Sequence, residues 1–192
     1  MNRALIAMVA GLTILLMAGL GVLGYQRFST PALPQIGGPF ALVDGAGKSV
    51  TDEQFRGRYM LIYFGYTHCP DACPTALSDM ALALDKLGAR RAQVQPIFIT
   101  VDPERDTGPA LADYVGAFGT DFIGLTGTVD QIAQVDKEFK VYAVKAPTRD
   151  GGYDMNHSSI IYLMDPNGRF LAYFTHESSP EDIAAKLVPL VS

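Results

Sequence analysis

The only two cysteines of this 192-residue chain, Cys69 and Cys73, lie four apart in the segment YFGYTHCPDACPTALSDM (residues 63–80). Two thiols at that spacing can close a local disulfide, because an i, i+4 pair on a helical turn falls within the usual Cα separation of roughly 4.4–6.8 Å. Reduced, the same pair can grip a soft metal ion. A purely structural disulfide is poorly motivated, since so short a loop removes little entropy from the unfolded chain. Pro74 suits the first position of a helix, which makes Cys73 its N-cap and places Cys69 in the loop before it. Both thiols would then sit near the positive end of the helix dipole, where thiolate is favoured over thiol. That activation serves nucleophilic attack and metal ligation alike and does not choose between them.

Two thiolates suit Cu(I) but leave a structural zinc site incomplete, so a metal would need a further ligand from elsewhere. The histidines are His68, His157 and His176. His68 adjoins Cys69, yet on extended backbone its side chain points away from the neighbouring thiol. Met60, Met80 and Met164 fall in strand or helix patterns that explain them as core filler, and Met1, Met8 and Met17 belong to the N-terminal segment. Met155 is loop-placed near His157 and is an auxiliary candidate. Asp71, between the cysteines, is a candidate for partner docking or proton handling. The charges of Asp102, Glu104, Arg105 and Asp106 read as a solvated turn, with Arg105 available to a carboxylate.

The elements that must position these residues are legible in the hydrophobic pattern. Residues 4–25 carry no charge, and about twenty-two helical residues at roughly 1.5 Å each cross a hydrocarbon core of about 30 Å. Residues 1–28 are therefore expected to form an uncleaved membrane anchor, the competing reading being a cleaved secretory signal. Residues 29–38, rich in proline and glycine and free of charge, read as a linker. The folded domain is expected over 39–192, on the non-cytoplasmic side, where an oxidising compartment lets a disulfide persist. With 48% hydrophobic residues one core is buried; a net charge of −5 without basic runs argues against nucleic acid as a partner.

Within the domain, residues 40–43 and 48–50 flank a glycine-rich turn as a hairpin, and Thr51 with Gln54 suggests a capped helical turn. Residues 59–64 read as a central strand covered on both faces, followed by the cysteine loop and a helix carrying Leu77, Met80, Ala81, Leu84 and Leu87 up to Gly88. Residues 94–101, 122–125 and 141–144 read as further strands in parallel α/β alternation, with helices up to Phe118 and over 129–139. Residues 159–164 and 169–174 flank Asp165-Pro166-Asn167-Gly168 as a hairpin, before a last helix over 179–190. A βαβ half closed by an antiparallel ββα half gives an α/β, thioredoxin-like fold with an N-terminal transmembrane helix. In such a sheet the loop entering the strand at 159 faces the reactive loop. His157 can therefore approach both sulfurs, whereas His176 lies beyond the last strand and reads as a surface residue.

Tyr66-Thr67-His68-Cys69-Pro70-Asp71-Ala72-Cys73-Pro74, then Val101-Asp102-Pro103-Glu104-Arg105-Asp106-Thr107, then Asn156-His157-Ser158 with Tyr162-Leu163-Met164-Asp165-Pro166-Asn167-Gly168, resemble the signature blocks of the Sco (SenC/PrrC-like) family. The likeness is collinear from about Pro39 onward. It implies a membrane-tethered, thioredoxin-like protein that binds one copper, Cu(I) or Cu(II), through Cys69, Cys73 and His157. It further implies a role in assembling the binuclear copper site of cytochrome c oxidase subunit II, with another periplasmic copper chaperone or a thiol reductant as further partners. The resemblance departs at one place: the family usually has aspartate before the ligand histidine, and here Asn156 supplies no charge. The short N-terminus before the span points to a bacterial inner membrane with the domain in the periplasm, the alternative being the mitochondrial inner membrane facing the intermembrane space. A thiol-disulfide oxidoreductase, with Cys69 and Cys73 as its catalytic pair, is the second functional reading. Its weakness is the C-x-x-x-C spacing, where such catalysts normally carry C-x-x-C.

Overall fold

The computed structural model describes residues 2, 9, 11–13, 15–20, 35–149 and 151–191. The chain divides into two compact units, Met1–Pro34 and Gln35–Ser192. In the first, most of the expected anchor lies outside the described residues, as does much of the 29–38 linker; residues 11–13 and 15–20 are helical with exposed side chains. Among the described residues no helix is long and apolar enough to cross a membrane.

The second unit is built on a five-stranded sheet. β1 (Ala41–Val43) and β2 (Ser49–Thr51) form the expected antiparallel hairpin. The turn after it, Asp52–Phe55, is a 3-10 helix, and Thr51 makes no side-chain cap; Gln54 instead donates to the Ser49 carbonyl. β3 (Tyr59–Gly65) is buried from Met60 onward, as an unbroken apolar run requires. It pairs in parallel with the fully buried β4 (Val94–Thr100), which pairs in parallel with β5 (Ile123–Leu125). On its other side β3 pairs antiparallel with β8 (Ile161–Met164), and β8 with β9 (Phe170–Phe174), so the order is β5-β4-β3-β8-β9. β3 is thus the central strand, and the cysteine loop leaves from its C-terminal end.

Helices α1 (Ala72–Asp85), α2 (Gly108–Gly116), α3 (Val129–Phe139) and α4 (Pro180–Leu187) follow the expected positions. α3 opens on a full Thr128/Gln131 capping box, α4 on one from Ser179 and Asp182, which satisfies backbone donors otherwise left open. Two features differ from the sequence expectation. The helix after the cysteine loop begins at Ala72 with Asp71 at its N-cap, two residues before Pro74, so Cys73 lies inside the first turn. The strand expected at 141–144 does not join the sheet. β6 (Ala143–Pro147) pairs antiparallel with β7 (Tyr153–His157) as a separate two-stranded arm. Its residues are all exposed or half-buried, with Val144 and Lys145 both exposed, which cannot support a central position between helices. His157 therefore ends a strand of this arm and does not sit in a loop.

Between the arm and α3 is a cavity of about 220 Å³ lined by Val101, Ile132, Asp136, Val144, Lys145 and Met155. Asp136 Oδ1 is buried there with no hydrogen-bond partner among the described residues, and burial pushes its carboxyl up to about 7. An unfolded aspartate titrates near 3.9, so between about pH 4 and 7 the folded chain holds a proton that the unfolded chain has lost. Stability from this group is therefore lost as pH rises through that window. Asp136→Asn should raise stability by roughly 1–3 kcal/mol at about pH 8, allowing for residual solvent, and flatten the decline. Denaturant unfolding from about pH 3 to 8 measures both.

Candidate metal centre

The sheet delivers Cys73 to a crowded place. A Cβ on Gly65, the last residue of β3, would come within 2.8 Å of Cys73 Sγ and 2.9 Å of the Phe98 ring, so glycine is required for the sulfur to lie against the strand end. Tyr66 is buried, its carbonyl accepts from Cys69 N at 3.2 Å, and Cys69 Sγ accepts from Cys73 N at 3.3 Å. Asp71 makes no side-chain cap, so the Cys69 sulfur takes one of the open donors at the start of α1. Cys73 is wholly buried and Cys69 half-buried, and both are free thiols. Burial pushes the Cys73 thiol well above its ordinary range, with the nearby Cys69 adding to the shift. The helix-terminus activation expected for both thiols is thus outweighed at Cys73, because desolvation penalises the charged form more than the dipole favours it.

His157 approaches from the arm. Its Nε2 lies 3.5 Å from Cys73 Sγ, while Nδ1 lies 3.1 Å from the Ser158 carbonyl, which can only accept. The proton is therefore assigned to Nδ1, leaving the Nε2 lone pair toward the sulfur. The rings of Tyr63 and Tyr66 meet the imidazole edge-on at 6.1 and 5.7 Å, and burial lowers its pKa, so it is neutral near pH 7. The Tyr63 hydroxyl sits 4.0 Å from Cys73 Sγ. One donor atom from each of Cys69, Cys73 and His157 lies within 4.8 Å of the other two. Two soft sulfurs and a neutral imidazole converging in a largely buried site suit a soft cation such as Cu(I).

The other candidates fall outside this group. His68 is exposed and turned to Thr67 Oγ1 at 3.1 Å and Asp106 at 3.8 Å. His176 is exposed at a separate cavity of about 300 Å³ that also borders Tyr63, Asp71 and Ile161. Met155 is buried in the cavity against α3, and Asn156 is exposed.

The turn after β4 differs from the sequence expectation. Asp102 and Asp106 are 1% and 0% exposed, not solvated. Asp106 accepts from Thr67 N at 3.0 Å, Thr67 Oγ1 at 2.6 Å and Thr100 Oγ1 at 2.6 Å, pinning the cysteine loop to the end of β4. The available signal was Thr100, a hydroxyl closing the buried apolar run of residues 97–99, with a carboxylate six residues on. Gly65 carried no signal, because its need arises only from the distant sulfur.

Fold and site together define a thioredoxin-like domain with a two-cysteine, one-histidine cluster at the end of its central strand. The SCO1/SenC family profile matches residues 29–192, and the chain belongs to that family. It is 41% identical over 157 residues to the human protein named SCO1 homolog, mitochondrial, covering 80% of this chain and 52% of that one, so it spans about half the relative's length. The solved structure of Bradyrhizobium japonicum ScoI with copper bound is 46% identical, with a TM-score of 0.75 over 82% of this chain and 99% of that chain. A third likeness is to BsSco, described as a member of the Sco family of cytochrome c oxidase assembly proteins with a disulfide switch. It is 28% identical, with a TM-score of 0.65 over 81% of this chain and 92% of the other.

Replacing Asp106 would orphan several buried donors at once, each worth about 1–3 kcal/mol. Asp106→Ala should cost roughly 2–5 kcal/mol in urea unfolding of the reduced protein near pH 7. A loss under about 1 kcal/mol would show that the cysteine loop does not depend on it.

Proposed function

We propose that the protein is a membrane-tethered copper carrier of cytochrome c oxidase assembly. It holds one copper ion as cargo through Cys69, Cys73 and His157 and passes it to the binuclear copper site of subunit II. The observation that carries this reading is the convergence of those three donors within 4.8 Å, two of them thiols and one a neutral imidazole. The copper-bound Bradyrhizobium relative and the oxidase-assembly role named for BsSco support the cargo and the destination. Residues 1–28 are the anchor and 29–38 the linker of a single-pass protein of the bacterial inner membrane, with the domain in the periplasm, supported by the uncharged run of residues 4–25.

Cargo binding needs both thiols reduced and releases their protons, so closing a Cys69–Cys73 disulfide would expel the ion. The second reading, thiol-disulfide exchange on the same pair, draws on the thioredoxin-like fold and the closeness of the sulfurs. His157 separates the two, since exchange does not need the imidazole. Anaerobic Cu(I) titration of the reduced whole chain in detergent, against a competing chelator, should give one tight equivalent. That affinity should fall at least about tenfold in His157→Ala, and binding should vanish in Cys69→Ala/Cys73→Ala. Binding indifferent to His157 would sink the carrier reading and promote exchange. For the anchor, the whole chain should sediment with membranes after a high-salt wash and a chain lacking residues 1–28 should not; recovery of both in the soluble fraction would refute it.

A further inference from the structure

His157 rides on an arm that the main sheet does not hold. A two-stranded hairpin is marginal by itself, so something must fix where the imidazole stands. Met155 packs the arm against α3, and the polar contacts of Tyr153 and Lys145 converge on the turn after β4. Arg105 donates through Nη1 to the Tyr153 carbonyl at 2.8 Å, and its guanidinium carbon lies 3.8 Å from the Tyr153 ring centre. Its Nε pairs with Asp102, whose other oxygen accepts from the Tyr153 hydroxyl at 2.9 Å. Lys145 covers the same ring at 4.6 Å and pairs with Glu104. The Arg105 guanidinium also faces Tyr66 at 5.6 Å, the residue that opens the cysteine loop and meets His157 edge-on.

The side chains of one short turn are thus divided between the two halves of the cluster. Asp106 faces the cysteine loop, while Asp102, Glu104 and Arg105 face the histidine arm. Glu104–Lys145 is exposed on both sides and contributes little. Asp102 is buried and Arg105 largely so, and their bonds to Tyr153 are charge-assisted or stacked, which makes them the ones that fix geometry.

We propose that Arg105 is a positioning residue of the copper site: through Tyr153 it holds the β6–β7 arm so that His157 stands over sulfurs that Asp106 has fixed from the same turn. This rests on the Cys69, Cys73, His157 carrier reading.

The test uses the reduced whole chain in detergent and five forms: wild type, Arg105→Met, Arg105→Lys, His157→Ala and Arg105→Met/His157→Ala. Methionine keeps an apolar stem on the Tyr153 ring and removes the fork of donors; lysine keeps the charge without the fork. In Arg105→Met, hydrogen exchange of the arm amides should quicken at least about tenfold while β3 and β4 keep their protection. Cu(I) affinity should fall about tenfold or more in Arg105→Met and also in Arg105→Lys, and the double variant should bind no more weakly than His157→Ala alone. Unchanged affinity in His157→Ala would overturn the ligand reading itself. Weakened binding in His157→Ala beside full affinity in Arg105→Met, or additive losses in the double variant, would overturn only the positioning role. Full affinity in Arg105→Lys would do the same, by showing that charge and not the fork matters. If Arg105→Met also loses protection in β3 and β4, Tyr153→Leu carries the test, since it removes both the ring on which the Arg105 guanidinium stacks and the hydroxyl bonded to Asp102 while leaving the turn after β4 intact. Weaker copper binding with faster arm exchange upholds the proposal, and wild-type values for both overturn it.

Discussion

The Cys73 sulfur lies against the end of the central strand with no solvent of its own, and much of the domain is arranged around that burial. Gly65 must lack a side chain to admit it, and the Tyr63 hydroxyl and the His157 imidazole approach it at 4.0 and 3.5 Å. A thiolate there would be expensive without compensation, and burial keeps the thiol protonated. The same burial keeps His157 neutral. Two of the three donors, the Cys73 thiol and the His157 imidazole, are therefore held uncharged by burial, and a soft cation is what repays the loss of the thiol protons.

The three donors come from two mechanically different parts of the chain. Both cysteines are fixed by the sheet: β3 carries the loop, α1 begins beneath it, and Asp106 ties Thr67 to Thr100 at the end of β4. The histidine comes from an arm with no backbone pairing to the five-stranded sheet. Sulfurs fixed by the sheet beside a separately held imidazole mean that one donor can move without disturbing the core.

Much of this was readable in the sequence, and the misses have definite causes. The order of strands and helices followed from apolar runs and periodicity, and α3 even kept its bounds at Val129–Phe139, since a capping box and a strong apolar stripe agree there. The helix start was misplaced because Pro74 is tolerated anywhere in a first turn, and Cys69 sulfur, an unusual cap, replaces the oxygen that pattern reading seeks. The strand at β6 is expected from the sequence, but not its partner: pairing is a tertiary property, and only the folded chain shows that Val144 and Lys145 stay exposed. Asp102 and Asp106 look like surface charges by composition. They are buried because hydroxyls and amides from distant segments satisfy them, and no local window contains those partners.

Asn156 shows how the same geometry limits the influence of the residue beside His157. Side chains alternate across a strand, so the neighbour of His157 on β7 points to the opposite face of the arm, where it is exposed. A carboxylate at that position would be separated from the sulfurs by the strand itself and screened by water, and its field at a buried site would be weak. The donors are oriented instead by buried groups: the Ser158 carbonyl behind Nδ1, the tyrosine rings at 5.7 and 6.1 Å, and the hydroxyl of Tyr63. The neutral amide of Asn156 therefore bears chiefly on the charge of the outer, exposed face of the arm.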